Sequence, residues 1–172
     1  IQDPRSSTPG LGLVLWVKAA YGDEAARVWE GLADNIVTVT KGWSESYGMF
    51  LEGEADLVLS YTTSPAYHLI AEDDATKSAV LFTDGHYMQV EVAAKLANSD
   101  QQALADAFMA FITTDAFQTV IPETNWMYPT TAVALPPLFE QMIDPQPVAG
   151  ALTVSNSDRK AAVDEWVRVL SQ

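Results

Sequence analysis

The sequence predicts an α/β fold, because short β-branched segments alternate with helical patterns as far as Asn98. The predicted strands cover residues 36–40, 55–61, 79–82 and 87–94. Of the 172 residues, 48% are apolar and 19% are charged, which is enough apolar material for a buried core. A globally disordered chain is therefore excluded.

Helical patterns separate these strands. In the first helix, Thr8 takes the N-cap position, Pro9 suits the first helical position and Gly22 marks the end. The remaining short and long helices are predicted over 23–33, 44–52, 66–71, 115–121 and 158–170, and Pro122 is expected to stop the helix that precedes it.

After Asn98 the pattern is mainly helical. Ser99 and Gln102 have the spacing of a capping box. One apolar face at helical spacing follows, formed by Leu104, Phe108, Phe111 and Ile112. The proline-rich stretch 128–148 predicts an irregular connection with at most one short helix, near Leu138.

Charge and cysteine content exclude several classes of function. The 23 acidic and 9 basic residues give a net charge of −14. Such a field repels nucleic-acid phosphates, so no nucleic-acid partner is expected. The absence of cysteine excludes disulfides, thiolate metal sites and a cysteine nucleophile. The longest nearly apolar stretch, residues 11–20, is shorter than the roughly 20 residues that a membrane-spanning helix needs.

Motifs for catalysis and for metal binding are weak. Gly10 and Gly12 lack the third glycine of a dinucleotide-binding loop, which favours a role in helix packing. His68 and His86 lie in unrelated segments and outside any acid-rich ligand cluster, so core or surface roles are favoured and no metal site is expected. Nothing in these motifs indicates an enzyme.

Aromatic residues outside the helical faces carry more information. They are Trp43, Tyr61, Tyr67, Trp126 and Tyr128. Two of them follow predicted strands, where α/β folds form ligand crevices, and ring faces attract flat or cationic ligands. The alternative is that these rings only cover the edges of the core. By contrast, Trp16, Trp29 and Trp166 lie on helical faces and are predicted core residues.

The start of the first helix is a second candidate feature. Ser7 and Thr8 place hydroxyl groups beside the free N–H groups that precede Pro9, an arrangement that suits an anion. Plain N-capping is the alternative interpretation. Rings that can bind a cation and a helix start that can bind an anion together indicate that the ligand is a zwitterionic or phosphorylated heterocycle.

Five stretches, spread along most of the chain, carry a more specific sequence pattern. They are 2–12 (QDPRSSTPGLG), 38–45 (TVTKGWSE), 56–68 (DLVLSYTTSPAYH), 85–87 (GHY) and 125–129 (NWMYP). In these stretches the chain resembles the periplasmic thiamine-binding proteins of bacterial ABC transporters. Ser6 stands where that family has threonine, which keeps the hydroxyl group.

The resemblance implies a type II periplasmic-binding-protein fold, in which two α/β lobes close on the ligand. It implies that residues 1–90 form the second lobe, a mixed sheet flanked by helices. Residues 91–128 would complete the first lobe, and 129–172 would return to the second lobe and end in its C-terminal helix. Ile1 is an unusual first residue, and family members are considerably longer, so a C-terminal fragment is expected.

The resemblance also implies the roles of the site residues. Trp43, Tyr61, Tyr67 and Trp126 are expected to hold the thiamine rings, and Ser7 and Thr8 to contact the phosphate or hydroxyethyl group. Asn125 and Tyr128 are candidates beside Trp126. The acidic residue that would recognise the aminopyrimidine is expected in the first lobe, outside this chain.

The implied function is that of a periplasmic solute-binding component of an importer for thiamine or its mono- or diphosphate, working with an inner-membrane ABC permease. No cofactor is expected. One alternative is a thiamine-related enzyme on the same fold, although the chain lacks a cysteine nucleophile. Another is a folded fragment without binding activity. The apolar helical face near Phe108 is expected either to fold back onto residues 1–90 or to pair with the same segment of a second chain, and self-association is the favoured outcome.

Overall fold

A computed structural model describes residues 1–82, 85–142, 151–152 and 154–171. The chain divides into two compact units. The first unit consists of Ile1–Tyr61, Leu81–Gln89 and Pro145–Gln172, and the second consists of Thr62–Val80 and Val90–Asp144. The division into lobes that the resemblance implies stays a prediction.

The described residues are rich in helix. In chain order the helices are α1 (Thr8–Tyr21), α2 (Ala25–Ala33), α3 (Trp43–Leu51), α4 (Ser64–Ala71), α5 (Gln102–Phe111), α6 (Asp115–Gln118), α7 (Ile121–Thr124) and α8 (Asn156–Leu170), with 3-10 turns at Gly22–Glu24 and Phe139–Gln141. Two short strands, β1 (His86–Tyr87) and β2 (Ala151–Leu152), pair in parallel. The register aligns His86 with Ala151.

The core of the first unit lies between α1, α2 and α8. Its buried residues are Val14, Val17, Ala25, Trp29, Ala162 and Trp166. Burying two indole rings removes a large apolar area from water and so stabilises the packing of these three helices. Trp29 and Trp166 thus confirm the prediction that they are core residues.

Helix α1 begins one residue earlier than the sequence pattern indicates. Ser7, not Thr8, is the N-cap, and its hydroxyl accepts a hydrogen bond from the Gly10 N–H at 3.4 Å. Pro9 occupies the first turn as predicted, and Gly22 follows the helix with φ 54°. That left-handed backbone favours glycine, so the predicted end of α1 is confirmed.

The prediction that Trp16 is a core residue is wrong, because this side chain is only half-buried and lies outside the core that contains Trp29 and Trp166. Its Nε1 donates to the Gly85 carbonyl at 2.9 Å, and its indole stacks on the imidazole of His86 with centroids 5.2 Å apart. The His86 Nε2 accepts the Phe82 N–H at 3.1 Å. Burial lowers the pKa of His86, which favours the neutral ring that this acceptor role needs. His86 therefore has the structural role that the sequence favours.

The predicted strands are largely wrong as sheet elements. Apart from the β1–β2 pair and one parallel bridge between Gln2 and Thr40, the described residues contain no ladder. Residues 55–61 and 79–82 carry no strand, and of 87–94 only Tyr87 lies in one. A β-branched composition favours extended backbone, but a strand also needs a hydrogen-bonded neighbour. The predicted mixed sheet is therefore absent from the described residues.

The second unit contains α4 to α7. The α6 helix ends at Gln118, and Pro122 lies in the first turn of α7, which begins at Ile121, instead of stopping α6, because proline fits the first turn of a helix. The predicted capping box is also wrong. The Ser99 hydroxyl accepts from the Gln101 N–H at 3.1 Å, while the Gln102 amide donates to the Ser99 carbonyl at 2.9 Å.

The apolar face of α5 lies at the surface. Leu104, Phe108 and Phe111 are 49 to 66% exposed, although Phe108 and Phe111 both meet the ring of Phe117 edge-to-face. The short helical turn expected near Leu138 is present at Phe139–Gln141. Residues 143–150 of the predicted irregular connection lie outside the described residues.

Among the described helices none is long and apolar enough to cross a membrane alone; only Gln102–Phe111 and Asp115–Thr124 taken together, bent by 68°, reach the required length and composition.

The core assignment gives a stability prediction. Trp29 is 1% exposed, and Leu32 on the same helix is 39% exposed. Replacement Trp29→Ala should lower the free energy of unfolding by about 3–5 kcal/mol, because it leaves a large cavity. Leu32→Ala should change it by only about 0.5 kcal/mol. Urea unfolding followed by far-UV circular dichroism compares the two, and equal losses would contradict this core.

Candidate functional site

The start of α1 is fixed by contacts to the preceding turn and to a distant segment. Ser7 is buried, and its backbone N–H donates to the Asp3 carbonyl at 2.9 Å. The Ser6 hydroxyl donates to the Lys41 carbonyl at 2.7 Å. Thr8 is exposed at the positive end of the helix, where Pro9 carries no N–H and the Gly10 N–H is bonded to Ser7. The geometry gives Ser7 an N-capping role and leaves Thr8 as the accessible hydroxyl, and the expected contacts of these two residues with a ligand stay a prediction.

Trp43 lies at the first position of α3, immediately after Gly42, whose extended backbone starts the helix. Its Nε1 donates to the Ser60 hydroxyl at 2.9 Å. One face of the indole stacks on Tyr47, with centroids 4.5 Å apart and planes at 24°. A ligand ring can therefore stack only on the opposite face of Trp43. Tyr61 follows Ser60 directly and is half-buried.

Gln2 links the segments around Trp43 by hydrogen bonds. Its side-chain amide is buried, and the Nε2 donates to the Ser46 hydroxyl and, at 3.1 Å, to the Leu59 carbonyl. The Ser46 hydroxyl in turn donates to the Trp43 carbonyl at 3.1 Å. Sequence reasoning gave Gln2 no role, since nothing in a local pattern indicates which distant segments an amide will join.

In the second unit, Tyr67 on α4 meets Trp126 edge-to-face. The ring centroids are 5.3 Å apart and the planes lie at 81°. The neighbouring Met127 accepts a hydrogen bond at its sulfur from the Thr63 hydroxyl, just before α4, at 3.9 Å. The loop after α7 is thus attached to the start of α4, and two of the predicted ring-holding residues are brought into contact.

Trp126 has φ 56°, in the left-handed region. For a bulky side chain this conformation costs about 1–2 kcal/mol, so the surrounding contacts must impose it. Such outliers concentrate at functional sites, where the surrounding structure fixes a side chain in a required direction. The observation supports a functional role for the Trp126 ring over simple covering of the core edge.

Asn125 and Tyr128, on either side of the Trp126–Met127 pair, point to other partners. The Asn125 amide donates to the Glu91 carboxylate at 2.9 Å. The Tyr128 ring packs edge-to-face on the buried Phe139, with centroids 5.2 Å apart. These contacts show how both residues are held, and their expected role as ligand contacts stays a prediction.

His68 corrects one expectation from the sequence. It is buried, as favoured, but its Nδ1 lies 2.7 Å from the Glu72 carboxylate, and Asp74 contributes a third group within 4.8 Å. It therefore does belong to a cluster with two acidic residues. The Asp74 carboxylate already accepts hydrogen bonds from Lys77 and from the Thr76 N–H, both at 2.8 Å. These bonds, with the positive charge of Lys77, hold the pKa of Asp74 far below its usual range.

The candidate residues divide between the two units. Ser7, Thr8, Trp43 and Tyr61 belong to the first unit, and Tyr67, Asn125, Trp126 and Tyr128 belong to the second. Within the first unit a hydrogen bond fixes Trp43 beside Ser60, the residue before Tyr61; within the second unit a ring contact joins Tyr67 to Trp126. Sequence reasoning missed Gln2, whose hydrogen bonds join distant segments. It also missed Tyr47 and Glu72, which contact Trp43 and His68 four residues away, a helical spacing that the sequence does show.

Comparison with known proteins gives the family. Residues 7–119, about two thirds of the chain, match the model of the bacterial extracellular solute-binding proteins. The chain belongs to this family. Its solute-binding-protein fold, of type II-like architecture, is also supported by a solved structure titled "Periplasmic thiamin binding protein", with a TM-score of 0.92 and 52% identity over 99% of this chain and 54% of that one.

Three curated relatives are similar to this chain along almost its whole length. Proteins named thiamine-binding periplasmic protein are 52% identical in Escherichia coli, 45% in Brucella melitensis and 40% in Haemophilus influenzae. The alignments cover 99 to 100% of this chain and 52 to 53% of the relatives. The chain thus spans about half the length of the curated relatives it matches.

Proposed function

We propose that this chain is part of the solute-binding component of a bacterial thiamine ABC importer. The observation that carries the proposal is the 52% identity, along 99% of the chain, to a protein named as thiamine-binding and periplasmic. The chain works in the periplasm, delivers its ligand to an inner-membrane ABC permease and binds without catalysing a reaction. Residues 1–90 and 129–172 serve the second lobe of the fold, and 91–128 complete the first.

The ligand is thiamine, or its mono- or diphosphate, and no cofactor is involved. Thiamine carries a cationic ring, and the net charge of −14 favours its approach. Trp43 and Tyr61 in the first unit and Tyr67 and Trp126 in the second hold the rings. Each stacking or cation–π contact contributes about 0.5–2 kcal/mol.

Contacts around this set of rings complete the binding. The start of α1 receives the phosphate or hydroxyethyl group through Ser7 and Thr8, because a helix N-terminus presents free N–H groups and a partial positive charge. Asn125 and Tyr128 contribute polar contacts beside Trp126. Their present partners, Glu91 and Phe139, hold both side chains in place.

The tryptophans give a direct binding test. Thiamine added to the protein should quench tryptophan fluorescence, because a cationic heterocycle stacked on indole is an efficient quencher. The double variant Trp43→Ala, Trp126→Ala should lose most of this quenching. Trp16→Phe is the control, since Trp16 bonds to Gly85 and is expected to lie outside the site. Absence of quenching in the parent protein would contradict the proposed function, and equal quenching in the double variant would remove these rings from the site.

The helix start gives a second prediction. Ser7→Ala should weaken binding of thiamine monophosphate more than binding of thiamine, by about 1–3 kcal/mol for a lost charged hydrogen bond. The matched control is Ser155→Ala, because Ser155 caps α8 through the Asp158 N–H just as Ser7 caps α1. Calorimetric titration of both ligands compares the variants. Equal weakening for the two ligands would reduce Ser7 to a capping role.

The exposed face of α5 gives a third prediction, that two copies of the chain associate through it. Full burial of Leu104, Phe108 or Phe111 against a second copy would stabilise the association by about 1.5–3 kcal/mol for each side chain. Phe108→Glu should abolish association, whereas Val37→Glu, at a 65% exposed position of the first unit, should not. Sedimentation equilibrium measures the mass, and a constant 18.7 kDa species at high concentration would contradict association.

A further inference from the structure

A buried amide closes the segment that carries Trp126 into a loop. Gln118, the last residue of α6, is 7% exposed, and its side-chain carbonyl accepts the Thr130 N–H at 2.7 Å. Its Nε2 donates to the Ile112 carbonyl, also at 2.7 Å. Residues 119–130 therefore leave the chain at Gln118 and return to its side chain, and all of them lie in the second unit.

Both ends of the Gln118 amide are bonded, and both partners are main-chain groups. Ile112 is the C-cap of α5, six positions before Gln118, and Thr130 lies twelve positions after it. A buried amide that loses either partner pays the cost of an unsatisfied polar group, so the side chain resists rotation. One side chain thus ties the end of α5 and the loop after α7 to a common point.

The loop that Gln118 closes turns at Trp126. The Asn125 N–H donates to the Ile121 carbonyl at 2.9 Å, and this bond ends α7. Trp126 comes next and has the left-handed backbone, φ 56°, that commonly follows the end of a helix and is usually occupied by glycine. The strained residue is followed, four positions later, by the bond from Thr130 to Gln118.

Pro129 limits the ways in which this loop can relax. Its ring fixes the φ angle, and the residue before it, Tyr128, is confined mainly to extended backbone. Few free torsion angles therefore remain between Trp126 and Thr130. The hydrogen bond made by the Thr130 N–H consequently constrains the backbone of Trp126 as well.

We propose that Gln118 is a positioning residue of the binding site: by closing residues 119–130, its amide maintains the strained backbone that holds the Trp126 ring against Tyr67. The Trp126 ring is half-buried and meets Tyr67 edge-to-face at 5.3 Å. This inference rests on the proposed function, because that function assigns both rings to thiamine. The gain in affinity comes from ordering a ring before the ligand arrives and not from a contact between Gln118 and the ligand.

The competing explanation is that Gln118 only stabilises the fold of the second unit. Gln118→Met separates the two, because methionine is unbranched and flexible enough to fill the space but makes neither hydrogen bond of the amide. Thr114→Ala is the matched control on the same helix. The Thr114 hydroxyl caps α6 through the Phe117 N–H and donates to the Phe111 carbonyl, and both partners lie outside residues 119–130.

The experiment is calorimetric titration of thiamine into the protein and its variants, at a temperature where circular dichroism shows each to be folded. Gln118→Met should weaken binding by about 2- to 10-fold, the range for one side chain that the ligand must order. Thr114→Ala should bind as the parent does. In a Trp126→Ala background, Gln118→Met should weaken binding by less than about twofold more. Unchanged affinity in Gln118→Met, or an equal loss in the two backgrounds, would overturn the proposal.

Gln118→Glu is the second variant, for the case in which Gln118→Met does not fold. A carboxyl oxygen accepts from the Thr130 N–H whether the group is ionised or protonated, so the bond that closes the loop is kept. This variant should therefore bind thiamine almost as tightly as the parent does. A folded Gln118→Glu protein that binds clearly more weakly would overturn the proposal.

A measurement without ligand separates this inference from the proposed function. With 5-fluorotryptophan in the protein, ¹⁹F NMR resolves the tryptophan signals, and Trp126→Phe and Trp29→Phe identify two of them. Gln118→Met should shift or broaden the Trp126 signal and leave that of Trp29, in the core of the first unit, unchanged. An unchanged Trp126 signal would overturn the positioning role, whatever the binding data show. A shifted signal in a protein that does not bind thiamine would contradict the proposed function and so overturn the role in binding.

Discussion

The buried amide of Gln2 is the contact on which the positions of α3 and of the Trp43 indole depend. Through Ser46 it fixes the start of α3, and through the Leu59 carbonyl it fixes the chain beside Ser60, which in turn holds the indole of Trp43. A buried amide that loses its partners costs about 1–3 kcal/mol, so this bonding opposes the separation of these segments. The position of one tryptophan is thus set by a residue more than forty positions earlier in the chain.

The helices were largely predictable from the sequence, because their signals are local. Ser7–Pro9 and Gly22 bracket α1, and apolar residues at helical spacing mark α2, α5 and α8. The strands were not, because extended residues such as 55–61 form a strand only when another segment pairs with them. The aromatic candidates came from residue type and resemblance. Gln2 could not be identified in this way because its hydrogen bonds join segments 44 and 57 residues away, which no local pattern encodes.

The two units present aromatic side chains in different arrangements. Trp43 and Tyr47 stack nearly parallel, at 24°, whereas Tyr67 and Trp126 meet at 81°. A stacked pair covers a face of each ring, and an edge-to-face pair covers a face of only one of them. Because cations are drawn to ring faces, the two arrangements offer a flat ligand different accessible surfaces. The fixed orientations also limit the ordering that a ligand must impose when it binds.

The left-handed backbone of Trp126 limits how this loop can be engineered. Glycine and asparagine adopt φ 56° readily, but they lack an aromatic ring, whereas the other aromatic residues meet the same backbone penalty as tryptophan. A substitution at this position therefore either keeps a ring together with the penalty or loses both. An engineer who wants a ring here without the penalty must redesign the turn together with the side chain, including the Thr63 contact that holds Met127.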